Sequence, residues 1–179
     1  MIVLSGASAS GKTEVAKMLA FKYGITKVIT TTTRDLRVGE INGKDYFFVT
    51  KDEFVKMIND GRFVEYTIYN DNFYGSTKDQ IANNKCIVVD PVGLKAYINL
   101  NNKNILTFFL ESEEETRKKR MLMRGDKLEK IEPRIIHDRV AFQKDNIPKV
   151  NYYIDSETKT VEEVADEIYR IYQEFLSNK

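Results

Sequence analysis

The sequence is short of the residues that usually build disulfides and metal sites. Its 179 residues contain one cysteine, one histidine and no tryptophan. The single cysteine, Cys86, cannot form an internal disulfide and lies in an apolar run, so we interpret it as a core residue of a protein from a reducing compartment. His137 has no second histidine or cysteine nearby with which to complete a metal site.

Net charge and long apolar runs are also lacking. The 28 basic and 27 acidic residues leave a formal charge of +1, which argues against bulk attraction to nucleic acid or to a membrane surface. No apolar run approaches the ~20 residues that a membrane span needs, and a predicted strand occupies the N-terminus where a signal peptide would lie. We therefore expect a cytoplasmic protein that binds neither nucleic acid nor membrane.

A glycine-framed loop near the N-terminus is the most informative segment. It consists of Gly6, Ala7, Ser8, Ala9, Ser10, Gly11, Lys12 and Thr13. The apolar run 1–4 precedes it, and residues 13–23 follow with apolar side chains at helical spacing. This order of strand, glycine loop and helix is the context of a phosphate-binding loop.

The chemistry of a triphosphate explains this pattern, because many donors must converge on it at once. Glycines let the loop turn its N–H groups inward, and a helix N-terminus adds free amides with partial positive charge. Lys12 is suited to the β- and γ-phosphates, and the Thr13 hydroxyl to the Mg²⁺ that accompanies ATP. The sequence thus predicts that all eight loop residues bind MgATP, with Lys12 catalytic and Thr13 a metal ligand.

Strands and helices alternate along the rest of the chain. Strands are predicted at 27–30, 45–49, 63–69, 73–76, 86–90, 105–110 and 152–154. Helices are predicted from a capping box at 50–53 to 61, from 76 or 77 towards 83, from 91, from a capping box at 112–115 to 124, at 134–146, and from a capping box at 160–163. This alternation predicts an α/β fold whose parallel sheet is covered by helices on both faces.

Two further motifs carry a family resemblance. They are Arg34-x-x-Arg37-x-Gly39-Glu40-x-x-Gly43-x-Asp45-Tyr46-x-Phe48-Val49, and Phe63-x-Glu65-Tyr66 with Tyr74-Gly75-Ser76. Together with the phosphate loop, they make the sequence resemble the guanylate kinases over nearly its whole length. The resemblance implies transfer of the γ-phosphoryl group of MgATP to GMP or dGMP, which gives GDP or dGDP and ADP.

The resemblance also implies an architecture. It is the three-layer α/β/α fold of P-loop kinases, with a parallel core sheet, a small mixed or antiparallel GMP-binding insert and a helical lid. We expect one domain over 1–179, with the core at about 1–33, 84–124 and 147–179. The insert then covers about 34–83 and the lid about 125–146.

The GMP site is expected in the insert. The resemblance assigns it Thr30, Arg34, Arg37, Tyr46, Glu65, Tyr74, Ser76 and Asp90. Arg34 and Arg37 are suited to bidentate capture of a phosphate, although two arginines in a polar loop can also be solvated charges. Glu65 can accept from the adjacent N1–H and N2–H groups of guanine, whereas adenine offers an acceptor at N1.

Lid arginines are implied as catalytic groups, because the transition state spreads negative charge over phosphoryl oxygens. The matching residues are Arg120, Arg124 and Arg134, or Arg139 in place of Arg134 if the gap is placed differently. The sequence departs from the family at Asp90, where guanylate kinases commonly show Asp-x-Asp and a glycine, so Asp90 can replace either acid or simply end a strand. At 155–156 it has Asp-Ser where the family often has Asn-Asp.

Two other functions remain open at this point. A related small-molecule kinase, such as a ribose bisphosphate kinase, is compatible with the altered Asp90 region, although Glu65 and the run Tyr74-Gly75-Ser76 argue against it. A peptide-binding module that has lost catalysis would have the same fold, but in such modules the phosphate loop is typically degenerate. This sequence retains Gly11-Lys12-Thr13.

Overall fold

The structure, a computed structural model, describes residues 1–143 and 145–178 and contains two β-sheets with flanking helices. The strands are β1 (Ile2–Ser5), β2 (Thr26–Lys27), β3 (Thr31–Thr32), β4 (Phe47–Phe48), β5 (Phe63–Tyr69), β6 (Asn72–Thr77), β7 (Lys85–Val88), β8 (Leu106–Glu111) and β9 (Tyr152–Asp155). The helices are α1 (Lys12–Tyr23), α2 (Lys51–Asn59), α3 (Pro91–Asn99), α4 (Glu114–Met123), α5 (Leu128–Ala141) and α6 (Val161–Ser177).

The main sheet is parallel and has the strand order β2-β7-β1-β8-β9. Strand β1 lies at its centre, with Ile2 paired to Cys86 on one side and to Leu106 on the other. A central parallel strand is covered on both faces, which explains why β1 is an uninterrupted apolar run ending in Ser5. The parallel sheet predicted from the sequence is confirmed.

Helices cover both faces of this sheet. On one face, α1 and α6 pack through Leu19 and Ile168 against Leu4. On the other face, α3 contributes Leu94 and Tyr97 to a second apolar cluster. All five of these side chains are at least 99% buried, so the three-layer α/β/α architecture is confirmed.

The second sheet is mixed and has the order β4-β3-β6-β5. Strand β3 is parallel to β4 and antiparallel to β6, and β6 is antiparallel to β5. This arrangement agrees with the small mixed or antiparallel insert implied by the family resemblance. The sheet also includes β3, whose residues Thr31 and Thr32 lie just before the segment expected to form the insert.

Local signals placed several helix ends correctly. The capping boxes Thr50/Glu53 of α2 and Thr160/Glu163 of α6 are both formed, with the threonine hydroxyl accepting from the glutamate N–H. Gly24 ends α1 in the left-handed region at φ 67°. Each of these patterns is complete within a few residues, so no distant partner is needed to form it.

The prediction of a helix at 134–146 is wrong at both ends, because α5 runs from Leu128 to Ala141 with Pro133 inside it. Proline lacks the N–H that would bond the preceding turn, which normally interrupts a helix. Here Ile131 and Ile135 lie on either side of Pro133 and are both buried against Met121 of α4. This packing holds the helix together across the proline.

Other boundaries also differ from the prediction. The strand expected at 27–30 is split, because the chain pairs with β7 at 26–27 and with the second sheet at 31–32. The capping box expected at 112–115 is absent: Glu113 precedes α4 without a side-chain cap, and its N–H donates to Glu157 instead. The helix expected after residue 77 is a 3₁₀ turn, Lys78–Gln80.

Within residues 1–143 and 145–178, no helix combines the length and the apolar character that crossing a membrane requires.

Helix α1 offers a paired test of the packing. Leu19 is fully buried, whereas Phe21 is 87% exposed. We expect Leu19→Ala to lower the free energy of unfolding by about 2–5 kcal/mol, because it leaves a cavity in the core. Phe21→Ala should change it by less than about 0.5 kcal/mol. Urea unfolding of both variants measures the difference, and equal costs would contradict the packing of α1 against the sheet.

Candidate active site

The glycine-framed loop joins the carboxyl end of β1 to the first turn of α1. Gly11 and Ala9 have positive φ angles of 94° and 61°, and Gly6 lies against the neighbouring strand. A Cβ atom at Gly6 would come within 2.6 Å of the Leu110 carbonyl oxygen and 2.8 Å of Ser10 Oγ. No side chain therefore fits at the position where the loop leaves the strand.

The Lys12 ammonium lies inside this loop. Its Nζ donates to the carbonyl oxygens of Gly6 at 2.6 Å and Ala7 at 2.7 Å. Burial lowers the pKa of Lys12 to about 8, and the nearby Asp138 carboxylate opposes that shift. The loop thus holds a cation beside the free N–H groups of a helix N-terminus, which is an arrangement suited to a polyphosphate.

A cavity of about 490 Å³ opens in front of the loop. Besides residues 9–13, its lining includes Arg120, Arg124, Ser156 and Lys159. Thr13, exposed on the first turn of α1, also lines this cavity. A hydroxyl next to a phosphate-binding lysine is a suitable oxygen ligand for Mg²⁺, so the donors present fit MgATP.

The predicted lid arginines do not share one environment. Arg120 donates to the Ser156 carbonyl at 2.6 Å and to the Ala9 carbonyl at 3.4 Å, so it lies beside the phosphate loop. Arg124 and Arg134 are half exposed and both pair with Asp126. Arg139 instead forms a bidentate pair with Glu114 of α4 at 2.6 and 2.8 Å.

The arginines predicted for the acceptor phosphate lie in the loop between β3 and β4. Arg34 donates to Glu40 at 2.7 Å, and its guanidinium lies 5.5 Å from the centre of the Tyr46 ring. Tyr46 in turn meets Tyr74 edge-on at 6.2 Å. Arg37 is exposed, and its N–H donates to Glu40 at 2.8 Å. The structure thus brings Arg34, Tyr46 and Tyr74 together, with Glu40 pairing the cation.

Glu65 is oriented by its neighbours in the second sheet. It lies opposite Ser76 in the pairing of β5 with β6, and its Oε1 accepts from Ser76 Oγ at 2.6 Å. The hydroxyl of Tyr97, on α3, donates to Ser76 Oγ at 3.0 Å. A chain of hydrogen bonds therefore runs from the core to Glu65, and it leaves the second carboxylate oxygen available.

Thr30 and Asp90 take part mainly in local structure. The Thr30 carbonyl oxygen accepts from the Phe47 N–H at 3.0 Å. Asp90 is exposed and caps α3, because its Oδ1 accepts from the Gly93 N–H at 2.8 Å. Capping is a sufficient structural reason for an aspartate at this strand end.

Sequence reasoning missed one group of charged residues beside the phosphate loop. Asp138 of α5 accepts from Ser8 and from Arg117 of α4, and both charged residues are more than 90% buried. A signal was present, because Asp138 continues the buried spacing of Ile131 and Ile135 along α5. A charged residue on an apolar stripe indicates a buried partner.

Comparison with known proteins assigns this chain to a family. A family model described as guanylate kinase matches residues 1–174. The curated guanylate kinase of Anaplasma phagocytophilum is 32% identical over 96% of this chain and 84% of its own length. That of Wolbachia pipientis is 34% identical over 92% and 87%.

A solved structure agrees in fold. The crystal structure of guanylate kinase from Anaplasma phagocytophilum covers 97% of this chain with a TM-score of 0.62, at 24% identity over 84% of that chain. With the family model spanning nearly all of the sequence and curated relatives above 30% identity, the chain belongs to the guanylate kinase family.

Proposed function

We propose that the protein is a guanylate kinase, which transfers the γ-phosphoryl group of MgATP to GMP or dGMP and releases ADP with GDP or dGDP. The observation that carries this proposal is the phosphate loop at the N-terminus of α1, with the Lys12 ammonium held among its carbonyl oxygens. Membership of the guanylate kinase family is the reason for proposing GMP or dGMP as the phosphoryl acceptor.

On the donor side, residues 6–13 bind the phosphates of ATP. Lys12 would exchange the carbonyl oxygens of Gly6 and Ala7 for phosphate oxygens, and Thr13 would hold the Mg²⁺ that accompanies ATP. Bound Mg²⁺ would neutralise part of the phosphate charge. Arg120 is already anchored at the loop through Ala9 and Ser156, which suits it to stabilise charge on the transferring group.

On the acceptor side, Arg34 and Arg37 bind the phosphate of GMP together with Tyr46 and Tyr74. The pairing of Arg34 with Glu40 supports this role, since it fixes the guanidinium over the Tyr46 ring, which in turn meets Tyr74 edge-on. Glu65 reads guanine through the carboxylate oxygen that Ser76 does not bond. Thr30, Ser76 and Asp90 complete the proposed contacts, with Asp90 also capping α3.

The lid is proposed to cover about 125–146, the insert about 34–83, and the core the remaining segments. Arg124 and Arg134 are the lid arginines that act on the phosphoryl group, because both converge on Asp126 at the start of the lid. The bidentate pairing of Arg139 with Glu114 favours Arg134 as the third arginine. Closure then aligns donor and acceptor and excludes water.

The comparisons do not favour the two alternative functions, because the curated relatives carry the guanylate kinase name. The substrates proposed here are therefore GMP or dGMP and MgATP. Nucleic acid and membrane are not proposed as partners, given a formal charge of +1. A cytoplasmic location is proposed from the lone, buried Cys86.

Replacing Lys12 tests the reaction. We expect Lys12→Ala to lower formation of GDP from GMP and MgATP by at least about a hundredfold, because a positioned cation at the phosphates is lost. Chromatographic measurement of GDP and ADP gives the rate. Lys17→Ala is the matched control, since Lys17 lies on the same helix and pairs with Glu14 on the surface. A fully active Lys12→Ala enzyme would refute the role of the loop.

Replacing Glu65 tests base selection. Glu65→Gln puts an N–H group where the carboxylate should accept, so we expect the ratio of kcat/KM for GMP over AMP to fall by about tenfold or more. Asp52→Asn, an exposed acid-to-amide change on α2, serves as control. An unchanged ratio in the Glu65 variant would show that another group selects the base.

The pKa of Lys12 predicts a pH dependence. Since MgATP binds the charged ammonium, and burial lowers the pKa of Lys12 in the free protein to about 8, affinity should be constant just below that pH and fall as pH rises above it. Calorimetric titration measures this. In Lys12→Arg the charge persists, so affinity should stay constant over the same interval. A constant affinity in the parent protein would contradict the expected titration.

A further inference from the structure

A buried carboxylate ties the lid helix to the phosphate loop. Asp138 Oδ2 accepts from the Ser8 N–H at 2.8 Å, and Oδ1 accepts from Ser8 Oγ at 3.1 Å. Arg117 Nη1 donates to the same carboxylate at 2.9 Å and to the Ser8 carbonyl at 3.4 Å. Three segments that are distant in sequence, the loop, α4 and α5, therefore meet at Ser8.

This ion pair is poorly explained as a stabilising contact. Asp138 is 4% and Arg117 7% exposed, and removing both charges from water is costly. The Nε group of Arg117 has no hydrogen-bond partner within the described part of the chain, so the pair does not satisfy its own donors. Buried pairs of this kind are often no more stable than apolar side chains of similar size.

Its placement indicates a role at the nucleotide. Asp138 binds the main-chain N–H and the hydroxyl of Ser8, which belongs to the loop proposed to hold the ATP phosphates. The next residue of α5, Arg139, pairs with Glu114 of α4. The C-terminal half of α5 is therefore bonded both to the loop and to α4. The proposed lid arginines lie before this point, with Arg134 one turn earlier.

We propose that Asp138 is a positioning residue for the MgATP half of the site. It fixes the main chain of Ser8 against α5, so that the loop keeps one shape, and it holds the C-terminal half of the lid helix to the loop. Arg117 donates to the carboxylate and orients it. The inference rests on the proposed function, because it assumes that the loop binds MgATP.

The test separates KM from kcat. Asp138→Ala leaves the Ser8 N–H without its acceptor, so we expect KM for MgATP to rise about tenfold. Within the described residues, Asp138 bonds to Ser8 and Arg117 and to none of the residues assigned to GMP, so KM for GMP should change by less than about twofold. A variant that merely folds poorly would lose kcat with both KM values unchanged, and that result would overturn the proposal.

A double variant removes the folding effect. Arg117→Leu with Asp138→Ala replaces the pair by apolar groups, which avoids a lone buried charge, so the free energy of unfolding should return towards that of the parent. If Asp138 positions Ser8, the raised KM for MgATP persists in this stable protein. Its return to the parent value would show that the pair is only structural. This variant also carries the test if Asp138→Ala does not fold.

Asp166→Ala is the matched control. Asp166 accepts from Lys22 and Tyr23 at 2.6 Å and joins α6 to the far end of α1. Its loss should affect stability but neither KM. The proposed function is checked separately by turnover of GMP in the parent protein. If that fails, calorimetric binding of MgATP to the parent and the double variant still decides the role of Asp138: tighter binding by the parent supports it, and equal affinity overturns it.

Discussion

The structure depends on the close approach of the phosphate loop to the carboxyl end of β1. Parallel neighbours flank this strand on both sides, so its end is fixed within the sheet. Gly6 leaves the strand against the Leu110 carbonyl oxygen, with no room for a side chain. The loop must then turn directly into α1, which points a helix N-terminus at the space where phosphates are expected.

Most arginines assigned to phosphate, on the donor side and on the acceptor side, are paired with protein oxygens. Four of the arginines assigned to phosphate are held by an oxygen that a phosphate could replace, whereas Arg37 is exposed. Arg34 is paired with Glu40, Arg124 and Arg134 with Asp126, and Arg120 with carbonyl oxygens. These pairs orient the guanidinium groups in advance, which reduces the reorganisation that binding requires. Asp138 is different, because its charged partner, Arg117, is buried and its carboxylate bonds to the loop itself.

The parts of the fold that sequence predicts are those that local chemistry decides. The loop 6–13 is recognisable because its glycines, lysine and threonine are contiguous, and the capping boxes at Thr50 and Thr160 close within one turn. Helix α5 was placed wrongly because Pro133 is a strong local signal, whereas the packing of Ile135 on α4 is tertiary. Asp138 was missed for the same reason, since its partners lie at distant positions in the sequence.

The central claim is that one site joins a phosphate loop to a guanine-selective insert. The most direct measurement is release of ADP from MgATP by the unmodified protein, in a coupled assay, against GMP, dGMP, AMP, UMP and ribose 1,5-bisphosphate in turn. The account predicts turnover with GMP and dGMP alone. Equal or greater turnover with AMP, UMP or the sugar phosphate would contradict the role given to Glu65, and no turnover with any acceptor would contradict phosphoryl transfer itself.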